Sequence, residues 1–401
     1  MLLPIFLVVL VDVFALTLVI PLLAIYAEQF GATPLQATLL VSVFAVCQLV
    51  SGPLLGRISD RIGRKPMLLV SQVGTFIGLL VMASARTLWV VYLARVIDGS
   101  TAGNLSLAQA YISDNTPPER RSRSFALIGI AFGLGFFLGP SVTGYLVRYG
   151  LRAPIYAAAA MSLTSVLCTA ALLRNAVPGA SSAEGDGEPD AGPGGTRVGI
   201  VQWGAYAQYF RRPVLAGLLV QFLLFSIAFA TFSSGFALFA ERTFTWNGHP
   251  FTPREVGYLF AYAGFLGIVL QGGLIGRLVE RFGEPALVAT GFAGLGGGYL
   301  LLGLVHDVGP LLVATTLSAF GHSVLRPTLT SLITQHASRR EQGVVLGLNQ
   351  SLASVAQIAA PALGGWLIGL GRLTLWATVA GGAAVVGLMA RRWGSGRAVP
   401  A

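Results

Sequence analysis

The sequence has 401 residues, of which 54% are hydrophobic and only 10% are charged, and its formal net charge is +10. Soluble globular domains carry about 25% charged residues, so this composition excludes an ordinary soluble domain and favours a membrane protein. The basic residues lie in short loops between apolar runs, which argues against nucleic acid as their partner. The two cysteines, Cys47 and Cys168, lie in apolar runs and cannot build a disulfide framework or a Cys-rich metal site.

Twelve apolar runs follow one another along the chain. A membrane-spanning α-helix needs about 20 such residues, and continuous runs favour helices over a β-barrel. The first six predicted spans are Pro4–Tyr26, Leu35–Leu55, Met67–Ala83, Leu88–Ile112, Ser124–Leu146 and Pro154–Leu173. The second six are Pro213–Ala240, Gly257–Ile275, Ala286–Val305, Leu311–Ile333, Val344–Ile368 and Leu373–Ala390. The first run has no basic segment before it, so we expect a first helix rather than a signal peptide.

The loops on the two sides of the predicted membrane differ in basic residues. One set of loops holds 18 Lys and Arg residues, and the other holds six. Loops rich in Lys and Arg stay in the cytoplasm. We therefore expect a multi-pass protein of the plasma (inner) membrane with both termini cytoplasmic.

A polar segment and an internal repeat divide the chain. The stretch Val177–Arg197 is rich in Gly, Pro, Ser and acidic residues, a composition typical of a flexible linker. The segment Leu54–Gly63 (LLGRISDRIG) is repeated 220 residues later as Leu274–Gly283 (LIGRLVERFG), with half the positions identical. We predict an all-α membrane protein with two six-helix halves, residues 1–174 and 213–401, and a cytoplasmic linker over 175–212. Repeats around a central site are typical of secondary transporters.

Five ionisable residues lie deep within the predicted spans, and such residues usually mark ion or substrate pathways. They are Asp12, Arg95, Asp98, His322 and Arg326. Arg95 and Asp98 are three residues apart, so they share a helix face and can pair. Protonation of Asp98 would release Arg95, so we predict that Asp12, Arg95 and Asp98 couple transport to protons. The alternative is a static pair that fixes helix packing.

His322 and Arg326 also share a helix face, being four residues apart. We predict contact with substrate or protons, although Arg326 near a helix end could instead reach the cytoplasm with its long side chain. Further polar residues are candidates for lining a central cavity, or else for bonding between helices. With His322 and Arg326, these cavity candidates are Gln48, Asn104, Gln221, Asn349 and Gln350.

Several motifs carry a resemblance to a known family. The segment with Gly56, Asp60, Arg61, Gly63, Arg64 and Lys65 resembles the signature between helices 2 and 3 of the major facilitator superfamily. Asp12 with Pro21-Leu22-Leu23, Arg95 with Gly99 and Gly103, the helix 5 residues Gly135, Gly139, Pro140 and Gly144, and Asn349-Gln350-Ser351 resemble the drug/proton antiporters, the tetracycline efflux group in particular.

This resemblance implies a twelve-helix fold, alternating access and a gate formed by Asp60. The gate group then comprises Gly56, Asp60, Arg61, Gly63, Arg64 and Lys65 with the repeat residues Glu280 and Arg281, and the helix 5 glycines serve tight packing. The chain departs from the tetracycline pumps because Met67–Ala83 and Ala286–Val305 hold no acidic residue. That departure puts tetracycline itself in doubt as the substrate.

Enzyme functions find little support in the sequence. The single lysine, Lys65, is followed by Pro66, so there is no ATP-binding loop of the Gly-x-x-x-x-Gly-Lys-Ser/Thr type, and no Gly-x-Ser-x-Gly motif is present. We predict a monomeric, proton-coupled antiporter that exports small, lipophilic organic compounds, without metal or cofactor. The alternatives are a uniporter or symporter for an organic anion or sugar, and more remotely a receptor or channel.

Overall fold

The structure is a computed structural model that describes residues 2–115, 118–173, 208–338 and 341–395. Most of the predicted linker, residues 175–212, lies outside these ranges. The described residues before it form α1 (Leu2–Val19), α2 (Leu23–Glu28), α3 (Pro34–Ile62), α4 (Arg64–Ala83), α5 (Leu88–Ser100), α6 (Asn104–Asn115), α7 (Pro118–Leu146) and α8 (Ala153–Leu172), with a short 3-10 turn at Val147–Tyr149.

The second part of the chain repeats this plan. Its helices are α9 (Pro213–Thr243), α10 (Pro253–Val269), α11 (Ile275–Phe282), α12 (Glu284–Leu302), α13 (Val308–Gln335), α14 (Gln342–Gly369) and α15 (Leu373–Ser395). A two-stranded hairpin, β1 (Thr245–Trp246) and β2 (His249–Pro250), follows α9, and the π-helical segment Leu270–Leu274 joins α10 to α11. Single glycines at positive φ, Gly63 and Gly283, form the matching turns before α4 and α12.

Nine helical segments of the described chain are long and apolar enough to cross a membrane. Two predicted spans are broken instead of continuous: the first at Ile20–Leu22, beside Pro21, and the fourth at Thr101–Gly103. Proline lacks the amide hydrogen that a helix interior requires, and glycine favours helix ends. The multi-pass helical class is confirmed, while the count of twelve stays a prediction.

The helices pack in two sets that are joined mainly by two helix pairs. In the first set α1 contacts α7 and α8, and α4 contacts α5 and α8. In the second set α12 contacts α13 and α15, and α9 contacts α14 and α15. The pairs α7 with α10 and α3 with α14 join the sets. The two-half architecture follows from this packing, and the exact boundary residues stay a prediction.

The two halves are pressed together at one end of the bundle, which we call the Glu28 end. The Ser42 hydroxyl in α3 donates to the carbonyl oxygen of Ile358 in α14 at 2.8 Å. Arg242 Nη2, at the end of α9, lies 2.6 Å from Glu28 Oε1. A Cβ atom at Gly257 in α10 would lie 2.6 Å from the Pro140 carbonyl oxygen of α7, so glycine is required for this approach.

The opposite end, which we call the Asp60 end, is open along the same helix faces. Asp60 follows Ser42 by 18 residues, which is about five turns of α-helix, so both lie on one face of α3. Ser42 is 5% exposed and in contact with α14, whereas the Asp60 side chain is 49% exposed. On α14, Gly365 packs on Pro34, whereas at Gly347, about five turns away, a Cβ would meet nothing within 4 Å. The facing surfaces of α3 and α14 are therefore in contact at the Glu28 end and apart at the Asp60 end.

One detail of the predicted gate is wrong. The sequence predicts that helix 2 ends at Leu55 and that Asp60 lies just beyond it, but α3 continues to Ile62. The charged residues Arg57, Asp60 and Arg61 therefore extend the helix by about two turns past the predicted end. The connection to α4 shrinks to Gly63 alone, with φ +100.

Candidate functional site

Arg95 and Asp98 form an ion pair inside the first half. Both lie on α5, three residues apart, and Arg95 Nη1 lies 2.9 Å from Asp98 Oδ2. The two residues are only 6% and 8% exposed. The guanidinium lies over the Phe44 ring of α3, 4.3 Å from its centroid, and Arg95 Nε donates to the Leu40 carbonyl oxygen at 3.4 Å. The predicted pair is thus present, buried, and held against α3 by a cation–π contact.

Asp12 is the second acid in the interior of this half. It lies partly buried on α1, and Gln72 Nε2 of α4 lies 3.4 Å from its Oδ2 atom. The same amide nitrogen donates to the Ser165 hydroxyl of α8 at 2.8 Å. Asp98 is close enough for its charge to act on the Asp12 carboxyl group. Two carboxyl groups and one guanidinium therefore share the interior of the first half.

Sequence reasoning did not find Gln72 and Ser165. They join Asp12 across three helices, and their separations along the chain, 60 and 93 residues, carry no periodic signal. The available signal was modest: Gln72 is a polar side chain within the third apolar span. Its Oε1 atom is buried without a protein hydrogen-bond partner in the described part of the chain.

The second half carries basic rather than acidic groups in its interior. The His322 ring of α13 is stacked on the Phe229 ring of α9, with centroids 4.2 Å apart, and lies 5.6 Å from the Phe225 ring. Arg326 follows one turn later with an exposed side chain. The structure places both predicted residues on α13, and the His322 side chain faces α9.

The other predicted cavity residues divide by their surroundings. Gln221 is buried, and its amide donates to the Gly387 carbonyl oxygen at 3.1 Å, a bond between α9 and α15. Asn349 is 4% exposed, and within the described residues neither of its amide atoms has a protein partner. Asn104 has a buried Oδ1 atom in the same situation. Gln48 is partly buried and Gln350 is exposed.

The predicted gate residues gather at the Asp60 end. Arg64 Nη1 lies 2.7 Å from Asp60 Oδ1 and 2.6 Å from the Ser59 hydroxyl. Lys65 Nζ donates to the carbonyl oxygens of Ala170 and Leu173, at 2.8 and 2.6 Å, which ties the start of α4 to the end of α8. The remaining members lie around them: Gly56 faces open space, Arg61 and Glu280 are exposed, and the Arg281 guanidinium lies over the Phe282 ring.

The helix 5 residues contact two partner helices. A Cβ at Gly135 or Gly139 would run into α1, where Thr17 donates its hydroxyl to the Gly135 carbonyl oxygen at 2.8 Å. Pro140 and Gly144 meet α10 through Gly257 and Arg254. Small residues at these positions therefore let α7 approach both α1 and α10 closely.

Comparison with known proteins gives the same architecture. The model of the Major Facilitator Superfamily matches residues 5–285 and 251–396. The class B tetracycline resistance protein of Escherichia coli is 27% identical over 360 residues, 88% of this chain and 85% of that protein. Multidrug resistance protein 2 of Bacillus subtilis (strain 168) is 25% identical, covering 88% and 85% of the two chains.

Solved structures share the fold over the whole chain. The human organic anion transporter MFSD10 (TETRAN) has a TM-score of 0.71 and 24% identity, covering 97% of this chain and 98% of that one. A bacterial homolog of the human lysosomal transporter Spinster, solved in an inward-facing and unoccupied conformation, has a TM-score of 0.76 and 16% identity, covering 100% and 98%. The chain therefore belongs to the major facilitator superfamily of membrane transporters.

Proposed function

We propose that this transporter is a proton-coupled antiporter that exports small, lipophilic organic compounds by alternating access. One observation carries the proposal: two carboxyl groups, Asp12 and Asp98, lie with Arg95 inside the apolar interior of one half. Charges at such a depth cost about 2.5–3.5 kcal/mol each on insertion scales, which is why intramembrane ionisable groups usually have a function. The similarity to tetracycline and multidrug resistance proteins supports export of drug-like compounds.

The open end gives the state of the cycle. The Asp60 end carries the basic loops, and by the positive-inside rule it faces the cytoplasm. The conformation is then inward-facing, with the cavity open to the cytoplasm and the halves closed at the Glu28 end. In this state a proton leaves a carboxyl group to the cytoplasm and the substrate enters the cavity. In the outward-facing state the substrate leaves and a carboxyl group takes a proton from the external side.

The ion pair provides a physical means of coupling. A protonated Asp98 no longer attracts Arg95, so the guanidinium is released from its 2.9 Å contact. Asp12 senses this change through its electrostatic contact with Asp98. Deprotonation restores the pair, so the two protonation states favour different side-chain arrangements in the cavity wall.

Purified protein in liposomes tests the coupling. We expect an imposed pH gradient to drive accumulation of a lipophilic dye, and Asp12→Asn and Asp98→Asn each to reduce this drive more than dye exchange without a gradient. Asp307→Asn removes an exposed acid before α13 and serves as the matched control. Full gradient-driven transport by both buried-acid variants would refute the coupling role. Transport insensitive to the gradient in the wild type would favour a uniporter.

A further inference from the structure

The second half contains a basic and aromatic surface that proton coupling does not use. The His322 ring is stacked on the Phe229 ring of α9, with centroids 4.2 Å apart at 30°, and it is tilted against the Phe225 ring at 5.6 Å. Its Nε2 atom is buried and has no protein hydrogen-bond partner in the described part of the chain. His322 and Phe229, both half-buried, therefore form a stacked aromatic pair, whereas Phe225 belongs to the hydrophobic core next to them.

Arg326 lies on the inner side of α13. It follows His322 by four residues and so shares its face. It follows Leu317 by nine residues, about two and a half turns, and so lies on the opposite side of the helix from that exposed apolar residue. The side chains of Arg326 and Leu317 are both exposed. His322 faces Phe229 of α9, and Ser323 lies beside Gly267 of α10. At 100° per residue, position 326 lies between these two directions, so the exposed Arg326 side chain lies toward the space between α9 and α10.

The charge of Arg326 sets the electrostatic character of this surface. All acidic residues between 213 and 395 lie at helix ends or in turns: Glu241, Glu255, Glu280, Glu284, Asp307 and Glu341. The interior of the second half is therefore positive, whereas the interior of the first half contains the acids Asp12 and Asp98. Field lines concentrate in a cavity with low-dielectric walls, so an anion entering it is drawn toward α13.

We propose that this surface binds the oxyanion of an aromatic substrate, with Arg326 as the counter-charge and the half-buried Phe229 and His322 in contact with the aromatic ring. The proposal rests on the proposed function and narrows its substrate class to aromatic carboxylates and sulfonates. A guanidinium can bind such an oxyanion through two parallel N–H···O hydrogen bonds.

Binding to the purified protein in detergent tests the proposal with three probes of the same ring system: 2-naphthoate, 2-naphthylmethanol and 2-naphthylmethylammonium. We expect the wild type to bind the carboxylate most tightly. Arg326→Gln should weaken carboxylate binding about ten-fold or more and leave the neutral probe almost unchanged. Arg326→Lys should fall between them, because an ammonium keeps the charge without the two parallel bonds.

Two controls separate folding and coupling from binding. Arg372→Gln removes an exposed positive charge from a turn at the Glu28 end and should leave all three affinities unchanged. His322→Leu keeps the apolar contact and should weaken the aromatic probes by a smaller factor than Arg326→Gln weakens the carboxylate. Equal affinity of wild type and a monodisperse Arg326→Gln variant for 2-naphthoate would overturn the inference.

The outcome also stands apart from that of the proposed function. Carboxylate binding that requires Arg326, without any gradient-driven transport, would uphold this site and refute proton-coupled export. Gradient-driven export of a lipophilic dye, with carboxylate binding indifferent to Arg326, would uphold export and refute this site.

Discussion

The ion pair between Glu28 and Arg242 joins the two halves at their closed end, so its removal should shift the equilibrium between the two conformations. The contact is 2.6 Å, and the side chains are 21% and 32% exposed, so solvent screens it in part. Exposed pairs contribute about 0.2–1 kcal/mol. If the contact exists only while this end is closed, losing about 1 kcal/mol favours the outward-facing state about five-fold. An outward-facing population of one in ten would then rise to about one in three.

Spin-label distances report this population directly. Ser84 and His306 are exposed in turns at the Glu28 end, one in each half, and replacing both by cysteine in a background without Cys47 and Cys168 gives a pair of labels. We expect Arg242→Gln to increase the long-distance fraction. Exchanging the charges, with Glu28→Arg and Arg242→Glu together, should restore the wild-type distribution.

A control at the same end excludes a general effect of charge. Arg372→Gln removes one positive charge from an exposed turn of the second half, and the distance distribution should stay as in the wild type. The reasoning fails if this control shifts the distribution as far as Arg242→Gln does. It also fails if the exchanged pair shows no recovery.

Three further predictions concern the gate residue Asp60, the linker and an exposed ion pair. Asp60→Asn should lower transport while leaving membrane insertion unchanged, and should raise labelling of cysteines placed in the cytoplasmic half of the cavity; normal transport with unchanged labelling would reduce Asp60 to a topology residue. Deletion of Ser181–Gly194 should leave expression and transport largely intact, so a loss of either would indicate a docked linker. The Arg212 guanidinium and Ser338 hold the pKa of Glu341 at about 2, below its usual 4.5. The stability that this pair adds is complete above pH 4.5 and lost only as pH falls toward 2. The melting-temperature difference between wild type and Glu341→Gln should therefore be the same at pH 7 and pH 5, and a decline at pH 5 would contradict this.

The apolar runs, the repeat and the Arg95–Asp98 spacing were readable from the sequence because each depends on residues close along the chain or on bulk hydropathy. The end of α3 could not be predicted from the sequence. Charged residues after Leu55 indicate departure from the hydrocarbon, but they do not end a helix, because helix interiors in water tolerate Arg and Asp. The helix therefore continues to Ile62, and Asp60 lies in its last turn instead of in a loop.

The contacts of Asp12 show a second limit. Gln72 reaches it from α4 and also donates to Ser165 of α8, so the positions of these residues follow from how three helices pack. No spacing in the sequence encodes that convergence, since helix–helix packing in membranes depends on small residues and on shape. Gln221 shows the reverse case: a polar residue expected at the cavity binds α9 to α15 through Gly387.

The face of α3 explains how one helix can serve both conformations. Ser42 and Asp60 lie on that face about five turns apart, one in contact with α14 and the other exposed. The facing helix α14 has the same pattern, with Gly365 packed and Gly347 open. Rocking the halves about the bundle centre would separate the helices at Ser42 and Gly365 and bring them together at Asp60 and Gly347. Asp60 contacts Arg64 at 2.7 Å in the present conformation, and we expect closure of this end to exchange that contact for one with α14. A residue used in this way biases the equilibrium between conformations without touching the substrate.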